Sequence, residues 1–215
     1  AKASAGVVAA LAGLGVFLFP RLPSSAASPG SGVLAVEQSP YAEIRVLERP
    51  LERFLLIDGG IHTWVATDTW RPLLRYAAAL DVMKLFFDAP GKLLTVGLGG
   101  GSVVKEYARD GWMVDAVEID PTVLRVARRD FQLQDAEARI FQMDGRRFLS
   151  QSRETYDLIV LDAFGSSSIP FHLVTREVFG LVRDRLAPHG IVVLNVESPG
   201  WDSQLVRALG ATLRT

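Results

Sequence analysis

At 215 residues the chain has the size of one ordinary domain, alone or with a small appendage, and such a chain buries roughly 70% of its unfolded surface without needing a staple. Its 49% hydrophobic and 22% charged content is that of a globular protein, and a net charge of −1 gives no bulk attraction to nucleic acid. The absence of cysteine excludes disulfides and thiolate metal sites. Three histidines far apart in sequence (His62, His172, His189) make a histidine metal centre unexpected, so no metal is expected.

The first 32 residues stand apart. Ala3–Phe19 is uncharged and rich in Ala, Gly, Val and Leu, between Lys2 and Pro20–Arg21. Its length is marginal for a spanning helix and above that of a signal-peptide core. It reads as a membrane anchor or the end of a preceding transmembrane segment, with a cleaved targeting peptide equally compatible. The Ser-, Pro- and Ala-rich stretch Leu22–Gly32 reads as a linker. On this reading the domain is cytoplasmic, or membrane-associated on the cytoplasmic side.

Residues 33–67 read as a small antiparallel β unit, with strand-like runs Val33–Val36, Ile44–Leu47, Phe54–Ile57 and His62–Val65. Asp58–Gly59–Gly60 is a strong hairpin signal, because glycine accepts the positive φ of such turns. Pro72–Phe87 has apolar residues at helical spacing and is ended by Ala89–Pro90–Gly91.

From Lys92 the chain alternates. Strands are expected at Lys92–Val96, Val114–Ile119, Ala138–Met143, Asp157–Leu161 and Ile191–Val196. Helices are expected at Ser102–Arg109, Pro121–Asp130, Gly145–Ser150, Thr175–Leu186 and from about Trp201. The strands are continuous apolar runs, as in a parallel sheet covered on both faces. Repeated βα units make residues 68–215 a Rossmann-like, doubly wound, mostly parallel α/β domain, two strands short of the usual full sheet.

Gly97–Leu98–Gly99–Gly100–Gly101–Ser102 joins the first of these strands to its helix, and Glu118 follows about 20 residues on at the end of the next strand. That spacing holds a ribose: bare glycines admit a nucleoside to the backbone N–H groups, and the acid accepts from two hydroxyls. Ser102, where the dinucleotide fingerprint has Gly or Ala, disfavours a nicotinamide cofactor. Ligands in such sheets lie beyond the carboxyl ends of the strands. The tips here are Gly97–Gly101, Glu118–Asp120, Asp144–Gly145, Asp162–Ser168 and Asn195–Pro199. Four carry a carboxylate and none a lysine or arginine, which favours a ligand rich in donors over a phosphate-bearing one. Asp144 suits an exocyclic adenine amine or a helix cap, Asp120 a helix cap, and Asp162 an attacking amine. Tyr41, His62 and Tyr76 are candidates to line the crevice, with core packing the competing role; Trp64 and Trp70 read as core.

Together these stretches resemble the spermidine synthase family of polyamine aminopropyltransferases. The resemblance runs from about Ser39 to Pro199. It includes Ser39–Pro40–Tyr41, Leu56–Ile57–Asp58–Gly59, the glycine loop, Val117–Glu118–Ile119–Asp120, Asp144–Gly145, Tyr156–Asp162 and Glu197–Ser198–Pro199. It implies a β-hairpin domain on a Rossmann-like domain, a homodimer, and a small-molecule amine as acceptor. Glu118 would hold the ribose, Asp144 the adenine, and Asp162 would be the base at the amine. The chain departs from the family at Gly100, where an aspartate is usual, and at Ala42, His62, Ala77–Ala78 and Gly165, all on the side that grips amines.

Decarboxylated S-adenosylmethionine ends in a bare amine, and S-adenosylmethionine adds a carboxylate. An acid at position 100 would favour the first, since a unit charge at about 4 Å is worth roughly 4 kcal/mol at an effective dielectric of 20. Three readings follow: an aminopropyltransferase using the decarboxylated donor on an amine such as putrescine, a methyltransferase using S-adenosylmethionine, and a non-catalytic nucleoside-binding or membrane-tethered interaction domain. The second is weakened by Thr95, where methyltransferases often carry an acid.

Overall fold

The computed structural model describes residues 31–163, 170–196, 198 and 200–214. The expectations for Ala3–Phe19, most of the linker, Gly165–Ser168, Glu197 and Pro199 lie outside them. Among the described residues no helix is long and apolar enough to cross a membrane.

Four strands, β1 (Gly32–Gln38), β2 (Glu43–Arg49), β3 (Glu52–Ile57) and β4 (Gly60–Ala66), form an antiparallel sheet in chain order. The expected turn joins β3 to β4, with Asp58 at φ 48° and Gly59 at φ 80°, the positive pair that a two-residue hairpin demands. In β4, Thr63 pairs with Leu55 and Ile61 with Leu56. His62 is therefore the extra residue of a β-bulge, a device that re-aims a side chain.

The helix expected over Pro72–Phe87 is shorter and broken. The chain stays extended beside β4, where Leu73 N–H donates to Trp64 O and Pro72 bridges Val65. Helix α1 (Arg75–Asp81) then tightens into a 3-10 turn at Val82–Phe86.

Five parallel strands follow: β5 (Lys92–Val96), β6 (Met113–Glu118), β7 (Arg139–Gln142), β8 (Tyr156–Leu161) and β9 (Leu186–Leu194), in the order β7-β6-β5-β8-β9. Helices α2 (Ser102–Arg109), α3 (Pro121–Phe131), α4 (Gly145–Gln151) and α5 (Arg176–Arg185) cover them, followed by α6 (Gln204–Leu213). Strand β9 starts five residues earlier than expected because Leu186 already pairs with Tyr156, a register shift carrying the ladder on to Leu158–Ile191. Helix α6 starts at Gln204, behind a Ser203 side chain that accepts from Val206 N–H.

Each sheet face has its own apolar layer. Leu93, Val114, Leu158 and Val193 belong to one, and Leu94, Val117, Ile159 and Val192 to the other. A third cluster joins the hairpin sheet to the Rossmann-like unit: Ile44, Val46, Leu55 and Val65 pack on Val123, Val126 and Phe131 of α3. The junction ends in a clamp. Arg53 and Lys105 both approach the Trp70 ring, at 5.3 and 5.2 Å, while donating to the carbonyls of Asp130 and Phe131 at the end of α3. Two cations thus meet the negative end of a helix dipole. Trp70, expected in the core, is only half-buried there.

Candidate active site

The strand order reverses between β5 and β8, so the crevice expected of such sheets opens between their tips. Gly97 stands on one side and Asp162 on the other. A Cβ on Gly97 would fall 2.3 Å from the Asp162 carbonyl oxygen, so the glycine loop and the acid are in contact through backbone.

The loop itself corrects one expectation. Gly97 N–H donates to Val117 O (2.8 Å), Leu98 N–H to Glu118 Oε2 (3.1 Å), Gly100 N–H to Thr63 Oγ1 (2.8 Å) and Gly101 N–H to Leu98 O (2.9 Å). These four donors serve the protein rather than pointing into the crevice. The missing side chains also serve packing: a Cβ would meet Thr63 Cγ2 at 2.8 Å from Gly100 and Leu133 Cδ1 at 2.9 Å from Gly101. At Gly99 it would lie 3.0 Å from Thr63 Oγ1. A loop with its donors so committed suits close approach of a neutral nucleoside better than a phosphate.

Glu118, the last residue of β6, is only 9% exposed. Its Oε2 takes the Leu98 N–H and its Oε1 the Asp120 N–H at 2.9 Å, which ties the second strand tip to the glycine loop. Burial raises its pKa, and the backbone N–H groups of Asp120, Leu98 and Ile119 pull the other way. The lone pair that these donors leave over can accept from a hydroxyl. Asp120 is the helix cap expected of it: its carboxylate accepts from Thr122 N–H at 2.8 Å and from Ser39 Oγ at 2.5 Å.

Asp144 takes the capping role with one oxygen and meets a histidine with the other. Oδ1 caps α4 by accepting from Arg147 N–H at 2.8 Å, while Oδ2 lies 2.9 Å from His172 Nε2. A Cβ on Gly145 would fall 2.4 Å from Val96 Cγ1, so this helix start abuts the tip of β5. His172 comes from a 3-10 turn, Phe171–Leu173, that sequence periodicity does not reveal.

Asp162 is the best-equipped acid. Its Oδ1 accepts from Asn195 Nδ2 at 2.7 Å, and the Tyr76 hydroxyl on α1 donates to the same carboxylate. Burial pushes its pKa up to about 6, opposed by those two hydrogen bonds. Burial likewise drives the Tyr76 phenol far above its ordinary value, with the charge of Asp162 adding to it, so Tyr76 stays a donor. Asn195 had no signal beyond its place at a strand tip.

The remaining candidates sit at the rim. His62, on the bulge of β4, places its carbonyl 3.7 Å from the Cβ position of Gly99. Burial lowers its pKa against the pull of Asp58. Tyr41 is 54% exposed in the β1–β2 loop, two residues from the Ser39 that meets Asp120, and no contact among the described residues brings it into the crevice.

A glycine-turn parallel sheet with buried acids at its tips defines a Rossmann-like domain. The family model described as spermine/spermidine synthase domain matches residues 52–215. The chain belongs to that family, and its antiparallel hairpin sheet joined to a parallel sheet is the family's architecture. A polyamine aminopropyltransferase from Vibrio vulnificus is 38% identical over 120 residues, covering 53% of this chain and 40% of that relative. The spermidine synthase structure from Thermotoga maritima superposes with a TM-score of 0.67 at 22% identity, covering 85% of this chain and 63% of that one. Human methyltransferase-like protein 13, in complex with SAH, gives 0.56 at 26%, covering 66% and 72%. The chain spans between 31% and 64% of the length of eight curated relatives that it matches.

Proposed function

We propose that this chain is the donor-binding and catalytic part of a polyamine aminopropyltransferase, moving an aminopropyl group from decarboxylated S-adenosylmethionine to an amine such as putrescine. One observation carries the reading: Asp162, with a pKa near 6, is held by Asn195 and Tyr76 against the backbone of the glycine loop. The adenosine lies across the tips of β5, β6 and β7, its ribose on Glu118 and its adenine amine on the free lone pairs of Asp144. His62 and Tyr76 face the acceptor, with Tyr41 at the rim.

The acceptor amine, with a free pKa near 10, arrives as an ammonium and must lose a proton before it attacks. Asp162 takes that proton. The nitrogen lone pair then forms a bond to the carbon next to the sulfonium, the carbon–sulfur bond breaks, and its electron pair leaves sulfur neutral. No acid is needed for the departing thioether. The positive charge passes from sulfur to the attacking nitrogen and is spread over both in the transition state, so a dry pocket that holds the partners in contact does most of the remaining work. In the same reading residues 1–32 are an anchor or targeting segment with its linker, 33–67 the hairpin domain, 68–215 the transferase domain, and the chain pairs as a homodimer.

The second reading is a methyltransferase using S-adenosylmethionine, favoured by the likeness to the human methyltransferase-like protein. Calorimetric titration with both donors separates them. Tighter binding of the decarboxylated donor is expected; preference for the carboxylated one moves the assignment to methyl transfer, and no heat with either removes both. Asp162→Asn is expected to abolish transfer with donor affinity kept within a few fold.

A further inference from the structure

On the face of β4 that packs against α3, Thr63 is the polar exception. It is 3% exposed and shares that face with Val65. A hydroxyl buried among apolar neighbours needs a partner, and valine would have filled the same shape without one. The partner is the N–H of Gly100, 2.8 Å from Thr63 Oγ1. The other three loop donors named above bond within the Rossmann-like unit, to Val117, Glu118 and Leu98. Thr63 thus brings a hydrogen bond to the loop from the hairpin sheet.

The side chain also shapes the loop sterically. Its Cγ2 lies 2.8 Å from the Cβ position of Gly100 and its Oγ1 3.0 Å from that of Gly99. Two residues back, Leu98 N–H holds the Glu118 carboxylate. A displacement at Gly100 therefore passes through Leu98 to the acid that would take the ribose. The neighbouring bulge at His62 sets the facing of this stretch of β4.

We propose that Thr63 is the positioning residue of the donor loop, so that affinity for the adenosyl donor depends on a hydroxyl supplied by the hairpin sheet. The inference rests on the reading that the donor's nucleoside occupies the loop at 97–101. Thr63→Val keeps the shape and removes the acceptor; Thr63→Ser keeps the acceptor and removes the methyl group.

The test is calorimetric donor affinity of the whole chain and both variants, with thermal melting and the acceptor KM measured alongside. Thr63→Val should weaken donor binding about tenfold, the effect of one buried N–H losing its partner, and leave the acceptor KM within about twofold. Thr63→Ser should recover most of the donor affinity. Unchanged donor binding in Thr63→Val overturns the inference, as does equal damage in both variants matched by equal losses in melting temperature, which would make the residue a packing element. If the parent chain binds neither donor, the functional reading fails first and the inference with it.

Discussion

Asn195 at the end of β9 donates to Asp162 at the end of β8 across 2.7 Å, and Tyr76 from α1 closes on the same carboxylate. Both donors favour the charged form, against the burial that raises the pKa to about 6. Transfer requires the ionised acid, so kcat/KM should fall as pH drops through about 6. Asn195→Ala and Tyr76→Phe each remove a donor and should move that limb to higher pH. A pH–rate profile that stays put in both variants would remove Asp162 from the role of base.

The same acid gives the fold an unusual pH response. Its folded pKa lies above the ordinary 3.8, so the protonated form is the one folding favours, and its ionisation costs stability as pH rises from about 4 to 6. Replacing it with asparagine removes that cost. The stability of Asp162→Asn relative to the parent should therefore grow by up to about 3 kcal/mol between pH 4 and pH 7. Glu37 runs the other way. Hydrogen bonds from Arg125 and Arg129 lower its pKa, so its contribution is present above the ordinary carboxylate value and lost as pH falls. Denaturant melts of Asp162→Asn and Glu37→Gln against the parent across this range check both signs.

Asp144 allows its structural and binding roles to be split. Asparagine caps helices about as well as aspartate, so Asp144→Asn should keep stability near that of the parent, apart from the charge it presents to His172. Asp144→Ala should lose about 1 kcal/mol through the α4 cap. Both should weaken donor binding if the adenine amine depends on this carboxylate. Unimpaired donor binding in the asparagine variant would confine Asp144 to capping.

Gly100 is not a vacant seat for an acid. The Cβ of an aspartate would meet Thr63 Cγ2 at 2.8 Å and the Phe131 ring at 3.0 Å, so Gly100→Asp should cost about 1–3 kcal/mol through overpacking. It should not raise the preference for the decarboxylated donor. A stable variant with sharply increased preference, measured by parallel titrations and melts, would show that this position opens into the crevice.

Local patterns disclosed the scaffold because each is settled by near neighbours. The Asp58–Gly59 turn, the parallel strands and the Asp120 cap depend on residues a few places apart. Glu118 and Asp162 were legible because strand ends point to the crevice in any such sheet. Thr63, Asn195 and His172 were not. Their partners lie 37, 33 and 28 residues away, and no periodicity records a hydrogen bond across that distance. The start of α1 escapes local pattern for a similar reason: the helical spacing from Pro72 is real, but pairing with Trp64 holds the chain extended.

Helix α3 joins two places that the chain keeps far apart. Its first turn is fixed by Asp120, next to the acid at 118, and its last carbonyls are gripped by Arg53 and Lys105 around Trp70. Eleven residues of helix make a stiff strut about 16 Å long. Any tilt of the hairpin sheet is thereby delivered, as through a lever arm, to the residues at the mouth of the crevice.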